Sequence, residues 1–303
     1  MHTQQTPAVV FKKIGIIGLG LIGGSLAQAF RRFVGIERLI VSDTNPEAVQ
    51  QAFDVGCADV AVAVDDPGFV QAFAGCDVLF VCTPPSVACE LLPRFADVDI
   101  RIVTDVASVK LPILKAASGM SHFIGGHPMA GSEGSGFESG DTDLFKGATY
   151  VLCVPENSTL PGADFDAYKR LLVSIGAKPV VMDPVAHDCR VAVISHLPHV
   201  AAFALSAIVA NSHDAEMRRL IGGGFRDVTR IAASSPALWT DIMFASEPLA
   251  AAIDEYVNVL LRMRDFLVDG KTDDFQALLQ KASRFRASIP EGLRAPRHGG
   301  EES

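Results

Sequence analysis

The sequence lacks several features that would each commit it to a function. None of its six cysteines forms a Cys-x-x-Cys pair or stands at metal-ligand spacing from a histidine. No metal site is expected, and positions 57, 76, 82, 89, 153 and 189 read as reduced thiols of a reducing, cytoplasmic compartment. Basic residues are few and dispersed: 26 Lys and Arg stand against 35 Asp and Glu, a net charge of -9. A chain of that sign without a basic stripe is not built to neutralise a phosphate backbone, so no nucleic-acid partner is expected. No charged segment followed by a long apolar one opens the chain, so no secretory leader is expected. Internal repeats are absent, and the one biased segment is the Gly- and charge-rich end, expected to fray as a disordered tail over 291–303.

One long apolar run is present. "VAVISHLPHVAAFALSAIVA", residues 191–210, could span a bilayer by length. It carries two histidines, a proline and two serines and has no aromatic or basic anchors at its ends, so it reads as a helix buried on all sides, and no membrane partner is expected.

With 49% hydrophobic and 20% charged residues, the 303-residue chain can bury ample core for two domains. Between Lys13 and Asp183 short apolar runs alternate with helical patterns: 14–18, 38–43, 77–82, 100–105, 122–126, 149–154 and 178–183. Most are apolar throughout, as strands covered on both faces must be. The pattern predicts an α/β fold, an N-terminal Rossmann-type doubly wound, mainly parallel sheet over residues 1–183. From Pro184 the segments turn Ala- and Leu-rich with helical period, predicting an all-α domain over 184–290. Its apolar content exceeds what one chain would leave exposed, so a homodimer through this domain is expected.

"IGIIGLGLIGGSLAQAF" places Gly18, Gly20 and Gly23 between a strand and a helix. Gly18 can make the tight turn, Gly20 leaves room for a pyrophosphate, and Gly23 lets the helix pack close. The amides of the turn and first helical residues, Leu21 and Ile22 among them, would face the phosphates. Asp43 ends the second strand, where a carboxylate accepts hydrogen bonds from both ribose hydroxyls. With no arginine in "SDTNPE" to take a 2′-phosphate, it favours NAD over NADP. Thr83 in "CTPP" lies where the dinucleotide crosses the sheet edge, and reads equally as lining the nicotinamide side or as a strand-ending turn.

Four segments carry polar residues out of keeping with their surroundings. "TDVASVK" puts Ser108 and Lys110 after a strand, at the start of a helix beside the cofactor edge; either also reads as a cap or surface charge, and for Lys110 that reading weighs equally with a functional one. "GGHPMAGSEGSG" puts His127 just past a strand, with Glu133 six residues on. "SHLPH" sets His196 and His199 three apart on one helix face. "GGGFRDVTRIAASSPALW" sets Arg226 and Arg230 on one helical face and includes Trp239. With no third ligand spaced for a metal, the histidines and arginines suit anion or hydroxyl binding. The acidic chain would need such a local cation to hold an anionic substrate.

In this order and spacing, over roughly residues 13–285, the motifs resemble the prephenate and arogenate dehydrogenase family of tyrosine biosynthesis. The resemblance implies NAD(P)-linked oxidative decarboxylation of a small anionic cyclohexadienol. It implies His127 as general base for the 4-hydroxyl, neutral and near its reference pKa of about 6.5, with Ser108 bonding that hydroxyl and orienting the histidine. By the same resemblance Arg230 binds a substrate carboxylate, and His199 contacts substrate with His196 as a companion. Trp239 lies near the pocket or packs, Arg226 and Asp227 are gate or intersubunit ion-pair residues, and Glu133 either joins them or binds substrate by favouring an amine. No fused chorismate mutase segment and no appended regulatory ACT domain are expected. Two other readings share parts of the pattern: another two-domain dehydrogenase, such as a 3-hydroxyacid dehydrogenase or an imine reductase, and a dimeric NAD-sensing module. Neither accounts for "HPMAGSE" together with "SHLPH", or for a polar pocket of His127, Ser108 and Arg230.

Overall fold

The structure, a computed structural model, describes residues 11–289 apart from His213; the tail expected over 291–303 lies outside the described residues. Strands β1 (Lys13–Ile17), β2 (Arg38–Ser42), β3 (Val60–Ala61), β4 (Val78–Val81), β5 (Ile102–Asp105), β6 (Phe123–Pro128), β7 (Thr149–Cys153) and β8 (Lys178–Val181) form one eight-stranded sheet. The order is β3-β2-β1-β4-β5-β6-β7-β8. The strands from β1 to β6 pair in parallel, whereas β7 runs antiparallel to β6 and parallel to β8. Each expected strand is present. The two-residue β3 is additional, too short to leave an apolar run in the sequence.

Helices α1 (Leu21–Phe33), α2 (Pro46–Asp54) and α5 (Gly162–Ser174) cover one face of the sheet, and α3 (Pro85–Leu91) and α4 (Leu111–Ala116) the other. Val78 and Phe80 of β4 enter the first core, while Leu79 and Val81 enter the second. Because side chains alternate across a strand, two covered faces require apolar residues at every position, which is why these runs do not alternate.

A helical unit follows: α6 (Pro184–Val191), a π-helical turn (Ala192–His196), α7 (Leu197–Asn211), α8 (Ala215–Arg219), α9 (Gly223–Thr229), α10 (Pro236–Ala245), α11 (Leu249–Val268) and α12 (Thr272–Ser288). Several starts are written locally. Asn45, Asp183 and Ser235 each accept a bond from an amide of the helix they cap, and each precedes a proline, whose missing N–H costs nothing at that position.

The run 191–210 is helical but is not buried on all sides. Within α7 only Ala202 is buried, and Ile194 and Ile208 are among the exposed apolar residues, as are Phe244, Leu260, Leu267 and Phe285 on the later helices. A single chain supplies too few neighbours to cover these faces, which therefore stand ready for a second copy. Replacing Ile208 (68% exposed) and Phe244 (90% exposed) together by Glu is expected to bring the sedimenting mass down to that of one 32.2 kDa chain, with the far-UV circular dichroism unchanged.

Candidate active site

The sheet reverses its winding between β1 and β4, and the crevice beyond their carboxyl ends is where a doubly wound sheet accepts a ligand. Gly18 sits there at φ 94°, donating its amide to Ser42 O (2.8 Å); a side chain on it would meet Cys82 O at 2.6 Å. A side chain at Gly23 would strike Gly18 O, whereas Gly20 faces open space. Gly20 caps α1 without a side chain, and the first intrahelical bond runs from Gly24 N–H to Gly20 O. The preceding amides of Leu21, Ile22 and Gly23 are thus left to an anion. Asp43 accepts from Leu19 N (2.5 Å) and Asn45 N (2.7 Å), holding its carboxylate at the rim of this cradle. Across the crevice Thr83 Oγ1 is buried with no protein partner. A cradle that added carbons would fill, free amides, a rim carboxylate and an orphaned hydroxyl fit a dinucleotide.

The segment after β5 closes in on that crevice. Lys110 is wholly buried, not a surface charge: its ammonium pairs with Asp105 Oδ2 and donates to Gly126 O (2.6 Å). Asp105 also accepts from Gly126 N (3.0 Å) and Ala107 N (2.8 Å). Burial pushes its carboxyl upward, against the pull of the Lys110 ammonium and these amides. Both polar groups of Gly126, the residue before His127, are held by one ion pair. A side chain on Gly126 would press to 2.5 Å from Asp105 O.

His127 does not follow the strand but belongs to it. β6 continues to Pro128, with His127 opposite Val151 of β7, so the imidazole rises from a rigid strand and is 7% exposed. Its Nδ1 lies 2.8 Å from Nε2 of His187, whose Nδ1 lies 2.7 Å from Asp188 Oδ1. Asp188 in turn accepts the amides of Lys110 (2.8 Å) and Leu111 (2.9 Å). Sequence reading missed both residues of α6, since "VAHDCRV" carries no spacing that announces them. The adjacent His-Asp pair at a helix start was the available signal. The pKa of His127 is not near 6.5 either: burial pushes it well below, and His187, Lys110 and His196 push the same way.

His196 is fully buried, with Nδ1 3.0 Å from Ser246 Oγ and Nε2 3.2 Å from Ser108 Oγ. Expected beside the substrate, it has both ring nitrogens already engaged, and Ser108 bonds this histidine, not His127. The π-helical turn brings it there. Nine residues of ideal helix would set His196 roughly opposite His187, and the one residue absorbed by the wide turn swings it back by about 100°. Burial holds its pKa down to about 4. His199 is half-buried, stacked on Trp239 with ring centroids 3.5 Å apart, and accepts at Nε2 because Nδ1 faces Ser195 O at 3.0 Å. Burial lowers its pKa as well. Arg230 lies one residue beyond α9, 63% exposed, and pairs with Glu133 within the chain, joining the small-residue loop after β6 to the helical unit. Arg226 and Asp227 are exposed on α9.

Comparison with known proteins gives a consistent result. Residues 26–181 match the prephenate dehydrogenase nucleotide-binding domain, and residues 183–281 the prephenate dehydrogenase dimerization domain. The prephenate dehydrogenase of Bacillus subtilis is 31% identical over 91% of this chain and 75% of its own. The cyclohexadienyl dehydrogenase of Zymomonas mobilis is 30% identical over 92% of this chain and 97% of its own. Prephenate dehydrogenase of Aquifex aeolicus, solved with hydroxyphenyl propionate and NAD+, superposes with a TM-score of 0.84 at 28% identity, covering 93% of this chain and 100% of that one. Synechocystis arogenate dehydrogenase superposes at 0.74 with 31% identity, covering 91% and 99%.

Two outcomes follow from the buried charges. Lys110→Met, leaving Asp105 without its cation, is expected to cost about 3–5 kcal/mol of stability in urea unfolding. His196 is neutral in the fold and takes up a proton below about pH 6.5 only when unfolded. It therefore contributes nothing adverse above that pH and removes about 3 kcal/mol as the pH falls from 6.5 to 4. Urea unfolding across that range should show this loss, and His196→Gln should remove its share while the loss due to His127 and His199 remains.

Proposed function

The chain belongs to the prephenate dehydrogenase family, and on that premise we propose that it oxidatively decarboxylates prephenate, and arogenate in the same cleft, with NAD as hydride acceptor. The observation that carries this reading is His127: a rigidly mounted imidazole kept neutral by burial, near the carboxyl end of β6, on the same rim of the sheet as the glycine cradle that follows β1. Gly18, Gly20, Leu21, Ile22 and Gly23 would hold the pyrophosphate, Asp43 the ribose and Thr83 the nicotinamide side. When bound, NAD supplies the acceptor for the hydride that leaves the carbinol carbon.

His127 accepts the 4-hydroxyl proton at Nε2, the nitrogen not facing His187. Ser108 donates to the same oxygen while His196 aims its hydroxyl. Once the carbinol carbon is a carbonyl, carbon dioxide leaves because the ring becomes aromatic, so placement matters more than covalent help. Arg230 takes a substrate carboxylate in a charge-assisted bond, with Glu133 keeping the guanidinium in place until substrate arrives. His199, braced by Trp239, presents Nε2 to the other end of the substrate. The enzyme works as a homodimer, consistent with the matched dimerization domain and the uncovered helix faces. Six unpaired thiols accord with a cytoplasmic location.

The test is NADH formation by purified protein offered prephenate or arogenate with NAD or NADP. Turnover is expected with prephenate and NAD, and absence of turnover with every pair would overturn the reading. His127→Asn is expected to lower kcat by on the order of 10²–10⁴ without loss of NAD affinity. Arg230→Ala is expected to raise KM roughly 10–100-fold.

A further inference from the structure

We propose that His187 and Asp188 are positioning residues for His127: their hydrogen-bonded chain keeps the proton of neutral His127 on Nδ1, leaves Nε2 bare toward the substrate, and supports the imidazolium while it holds the substrate's proton. The catalytic half of this inference rests on the proposed function; the tautomer does not.

With His187 neutral, the chain has one polarity. Asp188 already receives two backbone amides, from Lys110 and Leu111, which suit a carboxylate and leave Oδ1 facing His187 as an acceptor. His187 must then donate from Nδ1, so its Nε2 is a lone pair. That lone pair, 2.8 Å away, accepts the Nδ1–H of His127. The remaining nitrogen of His127 is an acceptor by default. The two links behind His127 are closed to bulk water: His187 is wholly buried and Asp188 nearly so.

The reaction asks for a lent proton, not a released one. The substrate O–H bond breaks and its proton moves to Nε2. The O–H electron pair closes the carbonyl as the hydride leaves with its two electrons for the nicotinamide. The ring-to-carboxylate bond then breaks, its pair enters the ring, and the oxygen, now a phenolate, takes the proton back from Nε2. A dianion and NAD+ become a monoanion, carbon dioxide and NADH with no net proton. The imidazolium is therefore brief, but it forms in a buried site. Facing it are Lys110, His196 and His187; Lys110 is compensated by Asp105, and Asp188 is the carboxylate that answers through His187.

The experiment uses the full chain labelled with ¹⁵N-histidine at neutral pH without substrate, His127 being identified by the signals that His127→Asn removes. The Nδ1–H tautomer is expected; an Nε2–H tautomer or an imidazolium would overturn the proposal. Rates then separate positioning from packing. His187→Leu, which offers no acceptor, is expected to lower kcat by on the order of 10²–10⁴ with KM and NAD affinity within about twofold. His187→Gln, whose amide oxygen can take the place of Nε2, is expected to recover at least tenfold of that loss. Equal kcat in the two variants would overturn the chain as a positioning device. A wild-type chain inactive on both substrates yet showing the Nδ1–H tautomer would refute the proposed function and uphold the hydrogen-bond chain.

Discussion

The buried pair of Lys110 and Asp105 is the constraint on which the site depends. Taking two charges out of water costs several kcal/mol apiece unless every remaining donor and acceptor is used. Here most are used: the ammonium also reaches Gly126 O, and the carboxylate takes the amides of Gly126 and Ala107. The result is a strand end that cannot shift, since the residue before His127 is gripped at both its N–H and its C=O. The same short segment offers the amides of Lys110 and Leu111 to Asp188. One stretch of eight residues, "TDVASVKL", thus sets both the place of His127 and the place of Asp188 behind it.

The site is consequently not the property of either domain. The sheet supplies the glycine cradle, Asp43, Ser108 and His127, and the helical unit supplies His187, Asp188, His196, His199 and Arg230. Contacts between the two are hydrogen bonds to specific atoms: His127 to His187, Ser108 to His196, Ser86 N to Asp241 Oδ2. Such bonds tolerate little displacement, so the helical unit is held in a fixed place against the sheet. Its outward faces meanwhile remain apolar and uncovered, in keeping with the match to a dimerization domain.

Much of this was legible in the residues. Seven apolar runs became seven strands because a doubly covered sheet admits few polar positions, and the glycine turn stood out because close approach at Gly18 and Gly23 admits no side chain. His127, Ser108, His199, Arg230 and Trp239 stood out as polar or aromatic residues in small or apolar surroundings; the structure links Ser108 through His196 to the stacked Trp239 and His199, and pairs Arg230 with Glu133. Less was legible where the partner is distant in sequence. His187 and Asp188 owe their place to contacts with residues 60 and 77 or 78 positions earlier, and Lys110 to a carboxylate hidden by the fold. Local pattern carries no record of such pairings. The reversed direction of β7, the extension of β6 through His127 and the π-helical turn before His196 are likewise outcomes of packing.

The sequence by itself determined the two-domain architecture, the glycine turn and the family, because periodicity, glycine placement and rare polar residues are local signals that need no partner to be read. The tertiary structure alone decided which nitrogen of His127 is bare, that Lys110 is a buried strut, that His196 serves Ser108, and that the long apolar helix lies open. Each of these depends on what surrounds a group in three dimensions. Hydrogen-bond polarity and desolvation arise only when chain segments far apart in sequence exclude water together.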